Sequence, residues 1–476
     1  MRTVLIVAYD FPPLRTSGIY RPLKFAKYLP EFGWRPIILT VSNYTGEQKD
    51  ESLLKDLPAD ARVYRAYSIE LKRFEKSVFN KMYQPASAAS APATSSPPTQ
   101  RTKSGSSVKR LLKRALLSPL SHFTHNYVYN PDEWRGWQPM AVLKGLKAIR
   151  NEHVDVIFST SPPETNHLVG LWLKRLSGKP WIVDFRDPWT DNVIKQDKPR
   201  ARFNSERRAE RRVLRSADAI VHVGSRFAGM SQQSFPEIPT RKHFVITNGY
   251  DESDYNGFDA EAIYRSNQSP QLNLLNVGTV YPNSGFDQFI QAFERVVARP
   301  EYRDKVRLTI VGSLLKDQQA RMSQEPLKSH VDLTGFLPHG EALRQMMAAD
   351  AILLMPSGGD ARTRDKIIPG KLFELLRSGR PLLMIGWEGE SADLVTQSGS
   401  GLFVPAQSIE KIEQAILELY RRKQTGQLQN DPNWNYIRRF DRKMLTSKLA
   451  DVLDQVSRGY DMDSTNTQEV KTAVQA

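Results

Sequence analysis

Residues 360–381 read DARTRDKIIPGKLFELLRSGRP, directly after the loop that follows the apolar run Ala351–Met355, AILLM. A short continuous apolar run bounded by turn residues reads as a buried parallel strand. The loop after it is polar and basic, with Gly358, Gly359, Arg362, Arg364 and Lys366. Pro369 suits a first helical position, and Gly379 suits the residue just past a helix end. On that helix Leu372, Leu375, Leu376 and Gly379 share one face, while Lys371, Glu374 and Ser378 share another. A strand end, a cationic loop and a short helix carrying one lysine and one glutamate therefore meet in one place. Ligands of open parallel sheets bind outside the carboxyl ends of the strands. Arginine and lysine suit phosphates, and a helix start adds backbone N–H donors. A carboxylate at a fixed spot suits sugar hydroxyls. An exposed Lys371–Glu374 pair beside a solvated basic loop is the competing reading of the same residues.

The same alternation of strand and helix extends in both directions. Strand-like runs recur at Leu272–Val277, Val306–Val311, Val331–Leu333, Pro381–Ile385 and Gly401–Val404, and Gly278 and Thr279 follow the first of them. In the first half the runs are Val4–Ala8, Pro36–Thr40, Val154–Ser159, Trp181–Asp184, Ala219–Val223 and Phe244–Thr247. The loop YDFPPLRTS after the first run leads through Gly18 into a helix expected over Ile19–Phe32, with Arg15 and Arg21 flanking the helix start. The pattern predicts an α/β chain of two Rossmann-like domains facing across a cleft. Asn248-Gly249 marks the crossing. The expected division is 1–248, 249–430, a last amphipathic stretch within 431–460 and a polar tail 461–476. Asp184, Arg186 and Asp187 fall at or just past a strand's carboxyl end, where charged residues serve function or a structural ion pair. His167 falls in the first turn of a helix. The G-x-G-x-x-G fingerprint is absent, which argues against nicotinamide or flavin binding.

The chain has 476 residues and no cysteine, so disulfides and cysteine-based metal or catalytic sites are excluded. Lysine and arginine outnumber aspartate and glutamate by 67 to 52, giving +15. That balance calls for an anionic partner: a nucleic acid, an anionic membrane or a phosphorylated substrate. No recognisable nucleic-acid module accompanies it, so no nucleic acid is expected. Residues 84–107 are rich in Ala, Ser, Pro and Thr and predict a disordered insert. Ser107–Leu120 then reads as a short basic amphipathic helix, the pattern of an anchor on an anionic membrane surface. A helix covering the core with solvated cations on its back fits the same pattern. Neither a secretory signal nor an apolar run of membrane-spanning length is visible. The expected location is cytoplasmic, with peripheral contact on the inner face of the membrane.

Several stretches together carry a resemblance: YDFPPLRTSGIYRP, STSPPETNHLVGLWLKRLSGKPWIVDFRDPW, TNGYDESDY, NVGTVYPNSGFDQFIQAF, LTIVGS, LTGFLPHGEALRQMMAADAILLMPS and IPGKLFELLRSGRP. The chain resembles a bacterial glycosyltransferase of family 4 with the two-Rossmann-domain GT-B architecture. The resemblance implies transfer of a sugar from a nucleotide sugar to a glycan or polyprenyl-linked acceptor, with retention at the anomeric carbon, in surface polysaccharide synthesis. It implies a donor held mainly by the second domain, an acceptor held by the first, and neither metal nor other cofactor. Glu374 matches the second glutamate of the family's E-x7-E motif, which binds the donor ribose, and Lys366 stands where the first would be. The usual Arg and Lys after the glycine at Gly278 are replaced by Thr279, Val280 and Tyr281, which leaves Arg362, Arg364, Lys366 or Lys371 to meet the diphosphate. Gly18, Gly278 and Thr279 are implied on the donor side, and Asp184 and His167 on the acceptor side. The family's histidine after the last strands of the first domain has no match, and Arg186 and Asp187 stand in that region as catalytic candidates.

A retaining transfer of this kind needs no dedicated nucleophile, because positioning and stabilisation of the leaving diphosphate carry the rate. Two other classes remain open: an epimerase or hydrolase of nucleotide sugars with the same architecture, and a non-catalytic relative that binds membrane.

Overall fold

The computed structural model describes residues 1–14, 16–44, 49–69, 130–192, 198–360 and 362–459. The insert at 84–107, the basic stretch Ser107–Leu120, Arg15 and the tail 461–476 lie outside the described residues.

Two parallel sheets form the framework. The first contains β1 (Arg2–Val7), β2 (Trp34–Val41), β3 (Arg62–Ala66), β4 (Val156–Ser161), β5 (Trp181–Phe185), β6 (Ala219–His222) and β7 (His243–Val245). Its order is β3-β2-β1-β4-β5-β6-β7. The second contains β8 (Leu272–Val277), β9 (Val306–Val311), β10 (Val331–Gly335), β11 (Ala351–Leu354), β12 (Leu382–Gly386) and β13 (Gly401–Pro405), in the order β10-β9-β8-β11-β12-β13. Every strand pairing in both is parallel. Strand order reverses between β1 and β4 and again between β8 and β11, which opens a crevice at the carboxyl ends of each pair.

Helices cover both faces of each sheet. With the first sheet go α1 (Tyr20–Tyr28), α2 (Gln138–Asn151), α3 (Thr165–Ser177), α4 (Arg200–Ser216) and α5 (Ser225–Ser234). With the second go α6 (Ala260–Ser266), α7 (Phe286–Ala298), α8 (Lys316–Met322), α9 (His339–Ala348), α10 (Leu372–Arg377), α11 (Glu390–Gln397) and α12 (Ile409–Gln424). The last described helices are α13 (Trp434–Arg438) and α14 (Arg442–Ser457). Because both faces are covered, the central strands are apolar throughout: Val4, Leu5, Ile6 and Val7 are all buried, as are Leu353 and Leu354 of β11.

Three local expectations are corrected. The helix expected over Ile19–Phe32 is α1 alone, with single 3-10 turns at Ser17–Ile19 and Leu29–Phe32 on either side. Gly33, at φ 81°, then turns the chain into β2. Strand β3 escapes the sequence pattern because RVYRA carries two arginines, makes no continuous apolar run and lies half-exposed at the sheet edge. The last amphipathic stretch breaks in two, because the Asp441 side chain accepts the Lys443 N–H and starts α14 afresh.

Helix α14 lies on the first domain. Leu445, Leu449 and Leu453 join Val4, Ile6, Leu23, Phe25 and Ile38 in one core cluster. The returning chain pairs with the outgoing one: Tyr250 N–H donates to Phe440 O at 3.1 Å, and Arg442 N–H to Tyr250 O at 2.8 Å. Gly249 is required there, since a Cβ would stand 2.1 Å from the Phe440 carbonyl oxygen.

Charges buried on α1 fix this crossing. The Arg21 guanidinium is 2% exposed and donates to both oxygens of Asp184 on β5 and to the carbonyls of Ile246 and Thr247. One turn on, Lys24 reaches Asp251 at 2.6 Å, Asp56 at 2.8 Å and Asp254 at 2.9 Å. Burial alone would lower the Lys24 pKa, but the Asp254 and Asp251 carboxylates raise it above the ordinary lysine value. Across the cleft from this hinge, Glu390 of α11 accepts the backbone N–H groups of Ser225 and Arg226 at the start of α5. Arg226 pairs with Asp393 at 2.7 Å.

Removing one partner of a buried pair strands the other charge, at a cost of about 3–5 kcal/mol. Arg21→Ala is therefore expected to lose about that much stability in urea unfolding, whereas a loss below about 1 kcal/mol would show that the crossing does not depend on this contact.

Candidate active site

The crevice of the second sheet lies where β8 and β11 end. Gly278, at φ 95°, turns the chain out of β8, and its N–H donates to Val311 O at 2.7 Å. Gly312, at φ 129°, does the same after β9, and a Cβ there would stand 2.6 Å from the Gly278 carbonyl oxygen. Two strand ends thus pass close together with no side chain of their own at the turn, and the Lys371 side chain lies 3.5 Å from where a Cβ on Gly278 would stand. Thr279 follows, its hydroxyl 3.3 Å from that of Ser313.

Lys371 reaches this floor. Its Nζ donates to Val277 O at 2.7 Å, and no described carboxylate forms an ion pair with it. Burial of the ammonium lowers its pKa to about 8. Helix α10 begins one residue later than Lys371, not at Pro369 as the sequence suggests, because the Leu372 N–H closes a tight turn onto Pro369 O. Gly379 ends it in the left-handed conformation expected of it, at φ 70°.

Glu374, one turn further along, is half-buried. One of its carboxylate oxygens lies 3.1 Å from His339 Nε2, at the first residue of α9 beyond β10. Hydrogen bonding to Glu374 raises the His339 pKa. The Tyr20 ring of α1 lies 5.9 Å from the His339 ring, so the first domain closes over this side of the crevice. His339 was not singled out from the sequence, although LPHGEAL follows a strand end on the edge that carries Gly278, which is the available signal.

The basic loop is held differently. Arg362 is tied to Asp360 at 3.0 Å, Lys366 to Asp365 at 2.7 Å, and Arg364 stacks over Trp387 at 5.5 Å. The loop packs on the turn after β8, where a Cβ on Gly358 would stand 1.9 Å from Asn283 O. Of the candidate cations, Lys371 is the one placed at the end of β8 with no carboxylate partner.

On the first domain two expectations are corrected. Asp184 is fully buried and spent on Arg21 and on the Thr160 hydroxyl at 2.7 Å, so it is the structural ion pair and does not face an acceptor. His167 is likewise buried, with Nδ1 2.9 Å from the Ser159 hydroxyl and its ring 4.5 Å from that of Phe185. Burial pushes its pKa down to about 3, which keeps it neutral. Arg186 is a clamp: its three guanidinium nitrogens donate to the carbonyls of Ser161, Gly18 and Pro162. It thereby ties the loop after β1 to the loop after β4, and a Cβ on Gly18 would stand 2.9 Å from its Nη1. Asp187, the next residue, is exposed at the cleft edge of β5. Among the described residues one acidic cluster has metal-ligating spacing, Asp56 with Asp251 and Asp254, and the Lys24 ammonium already sits within it.

Residues 271–422 match the family described as glycosyl transferases group 1, and residues 99–249 match the glycosyl transferase 4-like domain. No curated protein sequence matches the chain. Among solved structures it is similar to Anabaena HepE in complex with UDP and glucose, at 14% identity and a TM-score of 0.59, covering 96% of this chain and 100% of that one. Sucrose-phosphate synthase from Thermosynechococcus elongatus is similar at 13% identity and a TM-score of 0.62, with the same coverage. WaaG, a glycosyltransferase involved in lipopolysaccharide biosynthesis, is similar at 13% identity and 0.54, covering 95% of this chain and 99% of WaaG. At these identities the structures share the fold. The family matches, one in each half of the chain, identify a glycosyltransferase, and its two parallel-sheet domains share the GT-B fold of these structures.

Proposed function

We propose that the chain transfers a sugar, with retention at its anomeric carbon, from a nucleotide sugar bound at the end of β8 to a glycan or lipid-linked acceptor held by the first domain. The observation that carries this reading is the placement of Lys371 and Glu374 on consecutive turns of backbone beside the Gly278 turn. The open glycine turn leaves space for a diphosphate, Lys371 supplies its counter-charge, and Glu374 offers a carboxylate to the ribose hydroxyls. His339 holds that carboxylate in place by hydrogen bonding. Uridine nucleotides are the first donors to test, since HepE is described in complex with UDP and with UDP-glucose. A role in surface polysaccharide synthesis on the cytoplasmic side is consistent with the fold shared with WaaG and with the lack, among the described residues, of a helix long and apolar enough to cross a membrane.

In the step proposed, the bond between the anomeric carbon and the diphosphate oxygen breaks as the acceptor oxygen bonds to the same face of that carbon. Both bonding electrons leave with the diphosphate. The acceptor proton passes to the departing diphosphate oxygen or to Asp187. Lys371 stabilises the charge that develops on the leaving group, which is where preorganised electrostatics contributes most. No metal is needed if Lys371 fills that role, so activity is expected to survive a chelator.

Three measurements test this reading. A nucleotide at 100 times its Kd should stabilise the wild type by about 2.7 kcal/mol in thermal unfolding, and Glu374→Ala should lose that gain. No stabilisation by any nucleoside diphosphate would sink the donor site. Donor affinity should also depend on pH. A bound diphosphate favours the charged form of Lys371, so affinity should be level below pH 8 and fall up to about tenfold per unit above it. Lys371→Met should bind more weakly at pH 7 and lose that slope, and a wild-type affinity unchanged to pH 9.5 would remove Lys371 from the phosphates. Finally, the anomeric configuration of the product, read by proton NMR, should match that of the donor; inversion would rule out the same-face step.

A further inference from the structure

We propose that Arg364 and Trp387 read the sugar of the donor and select a nucleotide sugar whose transferred ring carries a carboxylate. This rests on the donor site proposed above and adds the class of sugar to it.

Strand order lays the donor out. The second sheet runs β10-β9-β8-β11-β12-β13. His339, which holds Glu374, follows β10 on one side of β8, so the ribose end lies on that side. Lys371 and the Gly278 turn stand at the end of β8 itself and take the diphosphate. The sugar then extends the other way, over the ends of β11 and β12. Neighbouring strands are about 4.8 Å apart, so the end of β12 lies roughly 10 Å from the end of β8. That span is comparable with a pyranose ring hung on a diphosphate.

Trp387 directly follows β12, and its ring packs on Gly358 in the loop after β11. A Cβ on Gly358 would stand 2.9 Å from that ring and 1.9 Å from Asn283 O, in the loop after β8. The ends of three strands therefore share one wall. Arg364 completes it, with its guanidinium 5.5 Å from the centre of the Trp387 ring. Arg364 is half-buried, and its side chain has neither a hydrogen bond nor an ion pair with any described residue. The acids around it are engaged elsewhere or stand in water. Asp360 accepts from Arg362, Asp365 from Lys366 and Glu390 from the start of α5, while Glu388 is exposed. The Trp387 ring N–H is enclosed and has no acceptor among the described residues. The wall thus keeps one cation and one donor unused.

A neutral sugar would leave that cation uncompensated. A carboxylate matches the planar guanidinium fork with two hydrogen bonds and balances its charge. The diphosphate is the competing anion for Arg364. It is already met by Lys371 at the end of β8, whereas Arg364 stands over the residue that follows β12, on the side away from the ribose.

The test is titration calorimetry of the full chain with nucleotides that differ in the sugar alone. UDP and GDP are titrated first, and the tighter one selects the series. For UDP the series is UDP-glucose and UDP-galactose against UDP-glucuronate and UDP-galacturonate; for GDP it is GDP-mannose against GDP-mannuronate. An acidic sugar is expected to bind at least about tenfold more tightly than its neutral counterpart, the effect of one charge-assisted hydrogen bond. Arg364→Gln should bring the two level while the diphosphate alone binds as it does to the wild type, and Arg364→Lys should retain part of the preference. Arg362→Gln removes the same charge from the same loop and should keep the preference, which separates a local contact from the net charge of the chain. Thermal unfolding at the wild-type temperature checks that each variant is folded. Equal binding of acidic and neutral sugars by the wild type overturns the proposal and leaves the donor site standing. A preference that survives Arg364→Gln overturns it too. So does a loss in that variant equal for the diphosphate alone and for the sugar nucleotides, which would make Arg364 a phosphate ligand. Binding of neither diphosphate sinks the donor site and the sugar reading together.

Discussion

Burying a guanidinium is expensive unless its nitrogens find partners, and Arg21 meets that condition through two other parts of the chain. Its fork takes both oxygens of Asp184 from β5 and the carbonyls of Ile246 and Thr247 at the start of the crossing. Asp184 in turn accepts from Thr160 at the end of β4. One side chain therefore fixes α1, two central strands and the exit from the first domain relative to each other. The loop after β1 inherits this order, since it leads directly into α1 and is held on its other side by Arg186. Tyr20 is carried on the same helix, so its approach to His339 depends on the same buried pair.

Much of the fold was legible because parallel strands buried on both faces must be apolar throughout. The runs at Val4–Ala8, Val306–Val311 and Ala351–Met355 needed no long-range information. Strand β3 failed that criterion, since this half-exposed edge strand carries Arg62 and Arg65 within five residues. Helix limits were less legible where a turn is set by backbone hydrogen bonding, as at Pro369–Leu372, and where a side-chain cap interrupts a continuous amphipathic pattern, as at Asp441.

The site was legible in part for a related reason. Lys371 and Glu374 lie close in sequence, so local spacing was enough to bring them to one end of one helix. Asp184 and His167 could not be assigned in that way. A charged residue at a strand end looks the same in sequence whether it faces a cleft or an adjoining layer, and what decides between them here is Arg21, distant in the chain. The cations of the loop at 362–366 illustrate the converse, because acidic neighbours in the same loop, Asp360 and Asp365, take up two of the charges that composition alone would offer to a phosphate.

The return of α14 to the first domain has a mechanical consequence. The two halves are joined by two lengths of backbone, hydrogen-bonded side by side at Tyr250 and at Phe440–Arg442. A single linker would allow the halves to swivel about its length as well as to open. A paired strap resists torsion, because rotation about its long axis would shear the hydrogen bonds between the two strips. What remains easy is bending across the strap, a single degree of freedom. Such bending would have to break the second link between the halves, where Glu390 accepts the backbone N–H groups at the start of α5.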